Sequence, residues 1–274
     1  MPVDGWVAHG DLRLHYLDWG PPGRPPVVLL HGGSAHAHWW DFTLPYLADR
    51  YRCIALDLRG HGDSGRPADG DYSLAAHAAD ALALFDALDL HRPALIGHSF
   101  GGFVAMVLAG QAPDRLAALA LVDSRARIGV RSARLLEALR KLPHPRWATR
   151  EEAITRFRLL PADTTAAPEV LAQVAEHGLA LDTNGTWSLK FDRRALAGAG
   201  AQDLAPHLTA LRCPVLAVRA ASSAIVGPEA MAEYRTAVPH VELAEIADAH
   251  HHVMLDQPQA LARVLGDFLD RTFR

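Results

Sequence analysis

A serine with glycines two positions away on either side separates a strand-like run from a helix-like run: Ala94-Leu95-Ile96, then Gly97-His98-Ser99-Phe100-Gly101-Gly102, then Phe103-Val104-Ala105-Met106. Presenting a side chain on a tight strand-to-helix turn strains the backbone, and the two flanking glycines relieve the crowding. The following helix aims its N-terminus at the same point, which favours negative charge developing there. The chemistry this suits is attack by Ser99 on a carbonyl. Serine is a weak nucleophile alone; it needs a base, and the base needs a group that orients it. Histidines gather at His250, His251 and His252, just past the last strand-like run, where loops of open α/β sheets build their sites. Residue chemistry alone leaves the three equivalent.

The elements that must position these residues are legible as alternating strand and helix signals, the pattern of a mainly parallel sheet with helices on both faces. Eight strand-like segments occur: one near Gly5–Ala8, then Leu12–Trp19, Pro26–Leu30, Tyr51–Leu56, Ala94–Gly97, Leu116–Val122, Pro214–Val218 and Val241–Ile246. Between them, Ser73 is placed to cap a helix running to about Leu90, and further helices are predicted over Phe100–Gln111, Pro228–Val238 and Gln257–Arg271. The rhythm breaks over 125–206, which turns helical and rich in Arg and Pro. A stretch that long between two sheet strands is too long for a loop, so a separate helical lid is predicted there, inserted after the strand ending at Val122. Residues 1–124 and 207–274 are then the core domain.

Composition narrows the function classes. The 274 residues are 50% hydrophobic and 21% charged, with a net charge of −4, which fits a globular domain and gives nucleic acid no basic surface to bind. The only lysines, Lys141 and Lys190, lie outside any phosphate-loop context. Pro93 to Ala112 carries no charge, but the Gly-rich turn inside it would leave backbone unsatisfied in lipid, so no membrane span is expected. The two cysteines, Cys53 and Cys213, form no CxxC pair and read as buried free thiols. With no basic-then-apolar leader at the N-terminus, they point to a cytoplasmic location.

Four motifs together carry a resemblance: His31-Gly32-Gly33, the run DLRGHGDSGRP from Asp57 to Pro67, the Gly97–Gly102 turn, and HHHVMLDQP from His250 to Pro258. The chain resembles the α/β-hydrolase fold superfamily, in its branch of lidded serine esterases, C–C hydrolases and cofactor-free haloperoxidases. The likeness covers nearly everything outside the lid. It implies that the base lies five residues before Asp256, which is His251, with His250 and His252 as flanking residues. It also implies that the oxyanion hole is built from the backbone amides of Phe100 and Gly33. No cofactor is implied, and a serine at the nucleophile position argues against the epoxide-hydrolase and dehalogenase branches, which need an aspartate there.

The sequence departs from the family pattern at the acid. Most relatives carry it after the strand read here as Pro214–Val218, and Ala224 stands at that position. Asp123, immediately after the strand ending at Val122, is the substitute, because some branches carry their acid at that strand end and the order Ser99, Asp123, His251 is the family's. Asp248 is a weaker contender, and Ser222 or Ser223 could stand in for a carboxylate. The leading expectation is a carboxylic-ester hydrolase with a small-molecule substrate. A C–C hydrolase or lactonase would use the same residues. From another class, a degenerate hydrolase serving as a binding module is motivated by Ala224.

The remaining motifs have plainer readings. Asp57, Arg59, His61 and Asp63 share one Gly-rich loop and are expected to pair among themselves as a structural turn. His31, His36 and His38, even with the three C-terminal histidines, lack a metal-ligand spacing, so no metal is expected. The pocket is expected to involve His38, Trp39, His98, Trp147 and Trp187. Arg125, Arg127, Arg131 and Arg134 recur at near-helical spacing; they could meet an anionic substrate, and a solvated helix face is the default. Trp147, Phe157, Leu159, Trp187 and Phe191 are read as seating the lid on the core.

Overall fold

The computed structural model describes residues 1–274, the side chain of Ala197 excepted. In chain order the strands are β1 (Val3–His9), β2 (Leu12–Trp19), β3 (Pro26–Leu30), β4 (Arg52–Leu56), β5 (Ala94–His98), β6 (Ala118–Val122), β7 (Arg127–Ile128), β8 (Arg146–Trp147), β9 (Leu179–Leu181), β10 (Trp187–Leu189), β11 (Gln202–Asp203), β12 (Val215–Ala220) and β13 (Glu242–Ile246). The helices are α1 (Leu74–Ala87), α2 (Phe100–Gln111), α3 (Val130–Arg140), α4 (Arg150–Arg156), α5 (Pro168–His177), α6 (Pro228–Ala237), α7 (Val253–Asp256) and α8 (Pro258–Thr272).

Eight strands form one sheet in the order β1-β2-β4-β3-β5-β6-β12-β13. Only the β1–β2 and β2–β4 pairings are antiparallel. The central strands are buried on both faces, which is why they read as continuous apolar runs rather than alternating ones. Their side chains still divide by parity. Val28, Leu30, Ile54, Leu56, Leu95, Leu119 and Leu121 pack into the layer that holds α1 and α2. Val27, Leu29, Cys53, Ala55, Ile96, Ala120 and Val122 pack into the layer that holds α8. Ser73 caps α1, its Oγ accepting from the Ala76 amide at 3.2 Å.

Several boundaries differ from the sequence expectation. β1 is longer, running Val3–His9, because it pairs along its length with β2. β6 starts at Ala118, since a 3-10 turn over Pro113–Arg115 uses the residues before it. The segment between β6 and β12 is not purely helical. Beside α3, α4 and α5 it holds a small antiparallel sheet in the order β8-β10-β9 and the β7–β11 pair, each strand only two or three residues long. Strands this short carry too little periodicity to show in a sequence.

Phe157 and Leu159 join the core layer beside α8, and Phe191 packs on His61 with ring centroids 4.7 Å apart. Trp147 and Trp187 belong to none of the core clusters; they are in register with each other on β8 and β10. Both cysteines are buried free thiols, and burial pushes the Cys53 thiol up to about 12. No helix is long and apolar enough to cross a membrane among the described residues.

Candidate active site

Ser99 sits between β5 and α2 with φ 50° and ψ −114°, outside the regions an L-residue ordinarily occupies. The flanking glycines show why the strain is accommodated. A Cβ on Gly97 would lie 2.4 Å from the Gly101 carbonyl oxygen, and a Cβ on Gly101 would lie 2.5 Å from that of His31. Gly32 is equally constrained, with His98 Nδ1 2.8 Å from where its Cβ would be. Three backbones therefore meet at the turn at distances that only glycine permits.

The Ser99 hydroxyl donates to His251 Nε2 at 2.9 Å, and the Nδ1–H of the same ring donates to Asp123 Oδ2 at 2.7 Å. Asp123 lies at the C-terminal end of β6, also at positive φ, 42°. Its other oxygen accepts the Ala220 amide at 2.9 Å, while Ser223 Oγ donates to Oδ2 at 2.6 Å. Ser223 is in turn fixed by accepting the amides of Ile225 and Val226. The stretch that lacks a carboxylate at Ala224 thus reaches across to brace one on the neighbouring strand. The His251 ring has its hydrogen bonds to Asp123 and Ser99, while the Asp248 carbonyl accepts from Thr165 Oγ1 and Gln257 Nε2.

Burial governs the electrostatics. Loss of solvent holds the His251 imidazole down at about 4, helped by the nearby Arg125 charge, so the ring is neutral and able to accept a proton at pH 7. Loss of solvent also pushes the Asp123 carboxyl up to about 6, against the hydrogen bonds from Ser223 and Ala220, which favour its ionised form.

The other two C-terminal histidines do other work. His250 turns its backbone N–H to Asp256 Oδ2 at 2.7 Å, and His252 Nε2 donates to the Pro161 carbonyl at 2.9 Å. Asp256 Oδ1 also accepts the amides of Thr165 and Ala166, so one buried carboxylate ties the His251 loop to the segment before α5. His98 donates to the His251 carbonyl at 2.8 Å and acts on the position of that loop.

Above Ser99 lies an apolar cavity of about 190 Å³, lined by Ser99, His251, Gly33, Phe100 and Ile225, by Leu135, Leu136 and Leu139 of α3, and by Leu160 and Leu196. The Gly33 and Phe100 amides donate to no protein acceptor among the described residues. The two residues are adjacent: a Cβ on Gly33 would sit 3.7 Å from that of Phe100.

The expected pocket residues are corrected. His38, Trp39, His98, Trp147 and Trp187 do not line this cavity. Trp39 packs edge-on against His252, His38 stacks on His177 at 3.7 Å, and Trp147 and Trp187 lie in register on the β8-β10-β9 sheet. The walls come instead from α3 and from leucines whose spacing gave no such signal. Arg125 also departs from the solvated-face reading: it is half-buried and lines the cavity, whereas Arg127, Arg131 and Arg134 are exposed.

The 57–67 loop is structural, with partners outside itself. Asp57 accepts from His15 Nδ1 at 2.7 Å and from the Ala37 amide at 2.6 Å, and Arg59 holds Asp80 through two bonds of 2.6 and 2.7 Å. Burial opposes ionisation of Asp57, and the His15 hydrogen bond overrides it, holding the carboxyl below its usual range. His38, Asp41 and His177 each turn one potential metal donor toward the others, outside the Ser99 cavity.

Known proteins resemble this chain over nearly its full length. Esterase Rv0045c of Mycobacterium tuberculosis is 31% identical over 261 residues, 93% of this chain and 85% of that protein. N-formylmaleamate deformylase of Pseudomonas putida is 31% identical over 266 residues, covering 97% and 96%. The crystal structure of a thermophilic esterase from Thermogutta terrifontis superposes with a TM-score of 0.78 at 28% identity, over the whole of both chains. The α/β-hydrolase fold family matches residues 25–258, leaving only β1, β2 and most of α8 outside, and to that family this chain belongs.

Proposed function

We propose that this hydrolase cleaves carboxylic esters through an acyl-enzyme intermediate. The observation that carries the reading is the continuous relay from Ser99 Oγ to His251 Nε2 at 2.9 Å and from His251 Nδ1 to Asp123 Oδ2 at 2.7 Å. Ser99 attacks the ester carbonyl while His251 takes its proton, and Asp123 holds the ring in the required tautomer and stabilises the imidazolium. The Gly33 and Phe100 amides receive the charge on the tetrahedral oxygen. His251 returns the proton to the departing alcohol. Water, activated by the same base, then releases the acid and restores Ser99.

We take 125–206 as the cap over this site and 1–124 with 207–274 as the core. The supporting fact is that α3 and Leu160 wall a cavity whose floor is Ser99. Hydrolysis of p-nitrophenyl acetate by the wild-type chain and by Ser99→Ala tests the reading, with fluorophosphonate labelling of Ser99 alongside. Turnover and labelling that both vanish in the variant support it. A wild-type chain that neither turns over nor labels sinks it and favours a binding module. A second reading, cleavage of an N-formyl amide by the same residues, is favoured by the likeness to N-formylmaleamate deformylase.

A further inference from the structure

Arg125 is the one arginine or lysine lining the Ser99 cavity, whose walls are otherwise mostly apolar. Its only protein hydrogen bond among the described residues runs from Nη2 to Ser132 Oγ at 2.9 Å, and no carboxylate pairs with it. Arg127 pairs with Asp203 at 3.1 Å and Arg140 with Glu137 at 2.7 Å, while Arg131 and Arg134, which also have no carboxylate partner among the described residues, are exposed and lie outside the cavity lining. A guanidinium offers five donors in a rigid fork that matches a carboxylate. The donors that Ser132 does not take are open to solvent at the cavity, where a ligand carboxylate can replace water on the guanidinium fork. That its charge acts on the His251 ring places it within electrostatic reach of the base.

We propose that Arg125 anchors a carboxylate on the acyl part of the substrate, making the substrate class a half-ester of a short dicarboxylic acid. The inference rests on the ester-hydrolase reading above. A group on the alcohol would leave after acylation, whereas one on the acyl part is held through both steps and can lower both barriers. A short acyl chain suits the cavity, whose volume of about 190 Å³ is below the roughly 300–1,000 Å³ usual for sites that enclose drug-sized ligands. The reaction balances as half-ester plus water giving the alcohol and the dicarboxylate, with one proton released.

The test measures kcat/KM for mono-p-nitrophenyl glutarate against p-nitrophenyl pentanoate in the wild type, Arg125→Met and Arg125→Lys. The wild type is expected to favour the half-ester by at least about tenfold, the size of a charge-assisted hydrogen bond. That ratio should collapse in Arg125→Met and partly return in Arg125→Lys. A wild-type ratio at or below one, or a ratio unchanged in Arg125→Met, overturns the anchor. Calorimetry with Ser99→Ala and the intact half-ester supplies a readout free of turnover, and binding should weaken by about tenfold or more when Arg125→Met is added. Arg125-dependent binding without wild-type turnover leaves the anchor standing and sinks the nucleophile reading. Turnover of the neutral ester without an Arg125-dependent preference sinks the anchor alone, and neither turnover nor binding sinks both.

Discussion

Ser223 donates a 2.6 Å hydrogen bond to Oδ2 of Asp123, the oxygen that also receives the His251 Nδ1–H. The serine therefore favours the ionised carboxylate, in opposition to burial. Removing it in Ser223→Ala should raise the Asp123 pKa further. The acid limb of the kcat/KM profile, which belongs to the Asp123–His251 pair, should then move to higher pH. At neutral pH the loss should be modest, about tenfold, as for one hydrogen bond to a charged group. A pH–rate profile of the two proteins checks this, and superimposable acid limbs would contradict it.

Asp123→Asn asks more of the site. Asparagine tolerates the positive φ at this position, so the fold should survive. Its amide cannot hold the imidazole in the same tautomer, and kcat should fall by about 10³–10⁴. Thermal melting alongside single-turnover kinetics separates the two effects. An undiminished kcat would remove Asp123 from the reaction.

Gly97→Ala should fail for a different reason. The added Cβ would meet the backbone of Gly101 at 2.4 Å, and backbone cannot swing aside as a side chain can. A cost of at least about 1–3 kcal/mol, the range for overpacking, should appear as a lowered Tm. An unaltered Tm would mean that the β5–α2 turn is looser than described.

Several histidines are buried and held neutral by loss of solvent: His31 and His36 down at about 3, and His61, His251 and His252 at about 4. Below about pH 6.5 the unfolded chain takes up protons at these positions and the folded chain does not, so stability must fall as pH falls. Each contributes up to about 1.4 kcal/mol per pH unit between its unfolded and folded pKa. His15, raised by its bonds to Asp57 and Asp4, opposes the trend, since its contribution is present at low pH and lost as pH rises through its folded pKa. Asp123, raised by burial, opposes it in the same sense. Outnumbered, the two should not reverse it. Tm measured from pH 7.5 to 4.5 should drop steadily, and a flat profile would exclude the account.

What the sequence made legible follows from range. Ser99 was readable because its constraint is local: two glycines and a strand-to-helix change lie within six residues. The choice of His251 among three adjacent histidines was not, because it depends on which one the loop after β13 turns toward β5 and β6. Asp123 could be nominated from chain order, but its bracing by Ser223 spans about a hundred residues of sequence and leaves no pattern. The pocket was misjudged for a related reason. Aromatic residues suggest a cavity lining, yet Trp147 and Trp187 are in register on the short strands β8 and β10 and do not line the cavity. The charged residues of the 57–67 loop read as pairing among themselves, yet Asp57 and Arg59 take His15, Ala37 and Asp80, partners that only the fold brings near.

With the carboxylate beneath His251 arriving from β6, the loop after β12 is released from duty as an acid carrier. Ile225 of that loop forms part of the cavity wall, and among the described residues the loop's hydrogen bond to the relay is that of the Ser223 hydroxyl. The carboxylate that meets His251 and the Ile225 part of the cavity wall thus come from different strand ends. Substitutions of the Ile225 side chain can reshape this wall without touching the Ser99–His251–Asp123 hydrogen bonds, which makes this position one where a lineage, or an engineer, could retune selectivity at little risk to turnover.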